Sequence, residues 1–141
     1  MRIKKAVYDQ ILDYCPVVPP EVGGILGAST DAIDFVAFDV GSGEMKSATY
    51  IPNVVMLNQK LNEWQQNGIS FRGLFHTHPK DQNTLSQDDI EYIEKIMFAL
   101  HPIVSVLYFP IVIPQSHLIS YKAINQNHSI LIASDIIDLV P

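Results

Sequence analysis

Cysteine is nearly absent from this chain, with Cys15 alone among 141 residues. A single thiol excludes an internal disulfide framework and a thiolate-rich zinc site. Its simplest role is that of a small buried hydrophobe. Basic residues are also scarce, nine Lys and Arg against fifteen Asp and Glu, which leaves a formal net charge of −6. They are scattered, and without a basic run the chain lacks the footprint of a general nucleic-acid or anionic-membrane surface. No apolar stretch approaches the roughly 20 residues that span a bilayer. Met1-Arg2-Ile3-Lys4-Lys5 leads into mixed sequence rather than an apolar signal core. A cytoplasmic protein with no membrane or nucleic-acid partner is the expectation. Repeats, low-complexity tracts and linkers are missing too, so residues 1–141 are expected to form one domain.

What the chain does have is apolar content, 48% hydrophobic against 17% charged, enough for a compact core. Ile3, Val7 and Ile11 stand four apart and predict a helix over 3–15, ended by Pro16, Pro19 and Pro20. A strand is expected over Val22–Leu26, with Gly23, Gly24 and Gly27 leaving the backbone bare for a bulge or a close neighbour. Ile33–Val40 and Lys46–Pro52 read as a hairpin around Gly41-Ser42-Gly43-Glu44. Leu57, Leu61 and Trp64 predict a helix over 54–66 that buries the tryptophan and stops at Asn67-Gly68. Another is expected from Ser86 to about Leu100, with Ile90, Ile93, Met97 and Leu100 inward, Glu91 paired to Lys95, and His101 at its end. Strands over 103–109 and 117–124 would flank a turn bracketed by Pro110 and Pro114, and 129–140 is ambiguous between strand and helix. His117 and His128 have no spaced partner. This element order predicts an α+β domain, a three-layer arrangement of a mixed sheet with helices packed on it.

The chemistry gathers between residues 76 and 89. His76 and His78 end the apolar run Ile69–Phe75, and on a strand residues i and i+2 share a face. Pro79 keeps His78 extended. After a short polar loop comes Ser86, then Asp89 in the first turn of the expected helix, where a carboxylate suits the helix dipole. Each residue has a plainer role: a lone strand histidine is more often a satisfied polar group, and Ser86 with Asp89 looks like a capping box. Two imidazoles and one carboxylate are, however, the ligand set of an open zinc site whose fourth position is left to water.

His76-x-His78-Pro79, six residues, then Ser86-x-x-Asp89 resembles the JAMM signature of MPN+ zinc metalloproteases. Glu21-Val22-Gly23-Gly24-Ile25-Leu26-Gly27, about 55 residues upstream of the histidines, is similar to that family's glutamate strand. The resemblance implies a curved mixed sheet flanked by helices, with a cytidine-deaminase-like architecture. It implies one Zn²⁺ on His76, His78 and Asp89, with Glu21 as proton shuttle. Ser86 would donate its hydroxyl proton to the oxyanion. It also implies a substrate: the amide bond after the Gly-Gly-type tail of a ubiquitin-like or sulfur-carrier protein. Two alternatives stand beside it. One is a non-catalytic interaction module on the same fold. The other is a RadC-like DNA-repair-associated protein, which the acidic balance weakens.

Overall fold

The computed structural model describes residues 1–17, 21–41 and 50–141. Its first element is not the expected helix. Arg2–Lys4 form a strand, β1, and the helix α1 follows over Lys5–Tyr14. Ile3 fits the helical spacing, but it is fully buried by parallel pairing of β1 with β10 (Asp138–Val140), Ile3 lying opposite Leu139. That long-range pairing overrides the local period. The ambiguous end of the chain is therefore strand: β9 (Ser129–Ser134) and then β10.

β2 (Gly23–Ala28) and β3 (Phe35–Asp39) are antiparallel neighbours, Gly23 facing Asp39 and Ile25 facing Ala37. The strand expected at 46–52 and its turn at 41–44 fall mainly on residues 42–49, outside the described residues. Helix α2 runs over Val54–Gln66 as the apolar spacing predicts, capped by Asn53, whose Oδ1 accepts from the Met56 N–H at 3.2 Å. Trp64 is buried. β4 (Ser70–Thr77) lies antiparallel to β2, and α3 (Gln87–Leu100) follows with Ser86 as its N-cap and His101 as its C-cap. Ile93 and Met97 are its buried residues; Ile90 and Leu100 are half-buried. Glu91 accepts from Gln87 at 3.4 Å instead of pairing with Lys95 among the described residues.

The remaining strands are β5 (Val106–Tyr108), β6 (Ile111–Ile113), β7 (His117–Ile119) and β8 (Tyr121–Gln126). The segment expected as a turn between Pro110 and Pro114 is the fully buried strand β6. β5 and β6 run alongside β4, both parallel to it, and Pro110 falls in the gap between them, where a missing N–H costs no ladder bond. The main sheet order is β3-β2-β4-β5-β8-β9, with β6 and β7 extending it beyond β4.

Neighbouring residues of β2 separate the cores. Leu26 packs with Val7, Ile11, Phe75 and Val112 beneath α1. Ile25 packs with Leu57 and Trp64 beneath α2. A third cluster joins Ile93 and Met97 of α3 to Leu107, Phe109 and Ala123. Leu74 of β4 touches both the α2 and the α3 clusters, whereas Phe75 belongs to the α1 side. The result is an α+β fold of three helices and a mixed multi-strand sheet among the described residues. No helix there is long and apolar enough to cross a membrane.

Candidate metal centre

Leu74 sets the face on which the histidines emerge. His76 and His78 follow it at i+2 and i+4, so both project toward the side carrying α2 and α3. A bulge upstream adjusts this register: Leu26 of β2 faces Gly73, but Gly27 faces Phe71, so Arg72 is extra. Phe71 and Leu74, three apart, consequently reach the same clusters. Gly73 is required by its neighbour, since a β-carbon there would lie 1.8 Å from the Tyr108 carbonyl oxygen. The end of β4 is pinned on both sides. Thr77 donates its N–H to Val22 O at 2.8 Å and accepts from Val22 at Oγ1, and the His78 N–H donates to Val112 O at 3.0 Å.

The loop after β4 folds back on His78. Its Nδ1 lies 3.0 Å from the Gln82 carbonyl oxygen, which can only accept. Nδ1 therefore carries a proton, and in the neutral ring it is Nε2 that keeps the lone pair facing the site. The Tyr121 hydroxyl donates to Asn83 O and ties the loop to β8. Ser86 and Asp89 then close α3 by a reciprocal capping box: Ser86 Oγ accepts from the Asp89 N–H at 3.1 Å, and Asp89 Oδ2 accepts from the Ser86 N–H at 2.9 Å. The plain capping role is thus real, and it also fixes the carboxylate before the imidazoles.

His76 Nε2 and His78 Nε2 are 2.8 Å apart. Asp89 Oδ1 is 3.1 Å from the first and Oδ2 is 3.2 Å from the second. Donors about 2.0–2.1 Å from a tetrahedral zinc lie about 3.3 Å from one another, so each imidazole stands close to that distance from one carboxylate oxygen, while the two imidazole nitrogens are about half an ångström closer than that. The side chains are 7–19% exposed, shielded but reachable. Lone pairs converging at this distance repel unless a cation or protons lie among them. The electrostatics express the same demand. Burial opposes an imidazolium at His78, but the hydrogen bonds to Asp89 and Gln82 and the charges of Asp89 and Glu21 outweigh it and raise its pKa. Burial also opposes the Asp89 charge, yet its hydrogen bonds to both histidines hold it far below the ordinary carboxylate range.

Beside this triangle is a cavity of about 190 Å³. His76, Asp89 and Glu21 line it together with Leu74, Ile93, Phe109, Pro52 and the rings of Tyr50 and Tyr92. A water occupies about 30 Å³ in the liquid, so the space exceeds what an ion and its water need. Glu21 thus shares a chamber with two of the three candidate ligands. Its Oε2 accepts from the Tyr50 N–H at 3.3 Å. Ser86 does not line the cavity, and its hydroxyl is engaged as the cap of α3. His117 contacts Ser116, and His128 is exposed; both lie outside the site. Cys15 is buried away from it, and burial pushes its thiol up to about 11.

Sequence reasoning missed Asp39 and Tyr50. The only local signal was the bare Gly23-Gly24 backbone, and the close neighbour it awaited is Tyr50: a β-carbon on Gly23 would come 2.6 Å from the tyrosine Cε2.

No protein-family model matches the chain, and no curated protein does. Among solved structures, it is similar to the solution structure of protein DSY2949 from Desulfitobacterium hafniense. The TM-score is 0.64 at 14% identity, over 99% of this chain and 93% of the other. That likeness shows a shared fold.

Proposed function

We propose that this protein is a zinc-dependent hydrolase of amide bonds, of the JAMM type, acting after the Gly-Gly-type tail of a ubiquitin-like or sulfur-carrier protein. One observation carries the reading: two imidazole nitrogens and a carboxylate converge within 3.2 Å beside a cavity that Glu21 also lines. The donor set is open and contains no thiolate, as in catalytic rather than structural zinc sites.

His76, His78 and Asp89 would hold the metal, and the Gln82 carbonyl would keep His78 in the coordinating tautomer. Zinc, when bound, supplies a Lewis acid and a water acidified to a pKa of about 7. Glu21, which lines the same cavity, would take the proton of the attacking water and return it to the leaving amine, a role worth about 10²–10⁴-fold. Ser86 stands at the start of α3 outside the cavity lining; accepting from Asp89 N–H leaves its own proton free, and the oxyanion role expected of it would require the reacting carbonyl to sit at the rim next to α3. The apolar walls of the cavity, Leu74, Ile93 and Phe109, limit water around the reacting amide. The JAMM-like three-layer architecture and a cytoplasmic setting belong to this same reading.

A fusion of a small ubiquitin-like protein through its Gly-Gly terminus to a reporter provides the test. Zinc-loaded protein should release the reporter, and chelation should stop it. Absence of cleavage across ubiquitin-like and sulfur-carrier fusions, with one zinc bound, would overturn the substrate class. A second reading, a non-catalytic interaction module, is favoured by the capping box, which accounts for Ser86 and Asp89 without a metal. It predicts no zinc retention.

A further inference from the structure

Asp39 is the most deeply buried carboxylate among the described residues, 2% exposed, and the chemistry above does not use it. Burial of a carboxylate is costly unless its oxygens are well satisfied. Among the described residues three donors meet it: the Tyr50 hydroxyl at 2.6 Å, the Asn53 N–H at 2.9 Å and the Gly41 N–H at 2.8 Å. All three are neutral, and among the described residues no cation pairs with it. Two of them belong to the segment 50–53, which leads into α2. Asp39 therefore fastens that segment to the end of β3.

The register explains why this reaches the candidate site. Gly23 faces Asp39 on one side and His76 on the other, so one row crosses the sheet from the buried carboxylate to the first imidazole. Directly opposed residues of paired strands share a face. The middle position of the row has no side chain, and the Tyr50 ring lies in the space that one would fill. From there the Tyr50 N–H donates to Glu21 Oε2 at 3.3 Å, and the ring forms a wall of the cavity. Burial first, then the hydrogen bond and charge of Asp39, hold the Tyr50 hydroxyl well above its ordinary pKa, so it remains a donor.

We propose that Asp39 is a positioning residue that orients the Glu21 carboxylate through Tyr50, gripping the tyrosine by its hydroxyl while its backbone N–H holds Glu21. Glu21 stands just ahead of β2, outside any helix or strand, and the Tyr50 N–H is the one hydrogen-bond donor that meets its carboxylate among the described residues. If Tyr50 is released, Glu21 loses that donor. A displacement of about 1 Å in a reacting group can cost about 10²-fold in rate. This inference rests on the proposed amide hydrolysis for its kinetic part only.

The test uses Asp39→Asn and the milder Tyr50→Phe, each alone and combined with Glu21→Gln, in the full chain. A Gly-Gly peptide carrying an aminocoumarin amide serves as substrate for the zinc-loaded forms. Asp39→Asn should keep the zinc content of wild type, lower kcat by about 10²-fold and leave KM within about twofold. Tyr50→Phe should lower kcat at least about tenfold, as for loss of one hydrogen bond to a charged group. In the Glu21→Gln background neither should lower the residual rate further, because a residue acting through Glu21 has nothing left to position. A merely structural Asp39 would give losses that multiply, and that result would overturn the proposal. A second arm needs no activity: in metal-free protein, the Tyr50 amide proton resonance should move upfield in both Glu21→Gln and Asp39→Asn. If loaded wild type hydrolyses nothing, the proposed function falls and this arm decides alone. A resonance unmoved in Asp39→Asn sinks the clamp; one that moves in both variants upholds it.

Discussion

Ser86 and Asp89 share one capping box, so mutating each in turn separates helix capping from metal binding. Ser86→Ala removes the oxygen that accepts from Asp89 N–H at 3.1 Å, a loss of about 1 kcal/mol. Asp89→Ala removes the reciprocal bond to Ser86 N–H and a carboxylate from the first turn, again about 1–2 kcal/mol. For a chain of this length each kcal/mol moves Tm by roughly 4 °C. Both metal-free variants should therefore melt about 4–8 °C below wild type. Zinc then tells them apart. A ligand present at 100 times its Kd adds about 2.7 kcal/mol to the folded state, or about 10 °C by the same conversion. Wild type and Ser86→Ala should show that rise in full, because all three donor atoms remain. Asp89→Ala should show little of it. The assay is differential scanning fluorimetry of chelator-treated protein, with and without added zinc. Equal zinc-induced shifts in Ser86→Ala and Asp89→Ala would refute the reasoning and reduce Asp89 to a helix cap.

Three further outcomes are expected. Glu21→Gln should retain zinc and lose hydrolysis by about 10²–10⁴-fold, measured in single turnover, because the carboxylate lines the cavity without touching the three donors. Cys15, 2% exposed with its thiol pushed up to about 11, should not react with a disulfide reagent at pH 8 in native protein and should react at once in denaturant. At Asp135, burial works against the charge, but the hydrogen bond and charge of the Met1 ammonium lower its pKa on balance. A carboxylate depressed in the folded state stabilises above its unfolded pKa of about 3.9, and that contribution is lost as pH falls below it. Asp135→Asn should accordingly be less stable than wild type at pH 6 in urea titrations, with the difference shrinking toward pH 3.

Legibility in the sequence followed the distance over which each feature is decided. α2 has the predicted bounds because Leu57, Leu61, Trp64 and the Asn67-Gly68 stop all act within one helix. The convergence of His76 with His78 follows from strand period, and their approach to Asp89 needed only a short loop and a helix N-terminus. Features decided by distant chain segments were hidden. Ile3 obeys a helical period yet pairs with Leu139. The prolines around Ile111–Ile113 suggest a turn, but parallel contact with β4 makes them the edges of a buried strand. Asp39 looks like an ordinary strand-end residue until register brings it opposite Gly23 and Tyr50 fills the gap. The bulge at Arg72 is set by the opposing strand.

The measurement closest to the central claim is the metal content of chain purified without added metal and then reconstituted, beside His78→Ala. About one zinc per chain in wild type, lost in the variant while its fold by circular dichroism is kept, is the predicted result. No zinc in wild type after reconstitution, or equal zinc in His78→Ala, would contradict it.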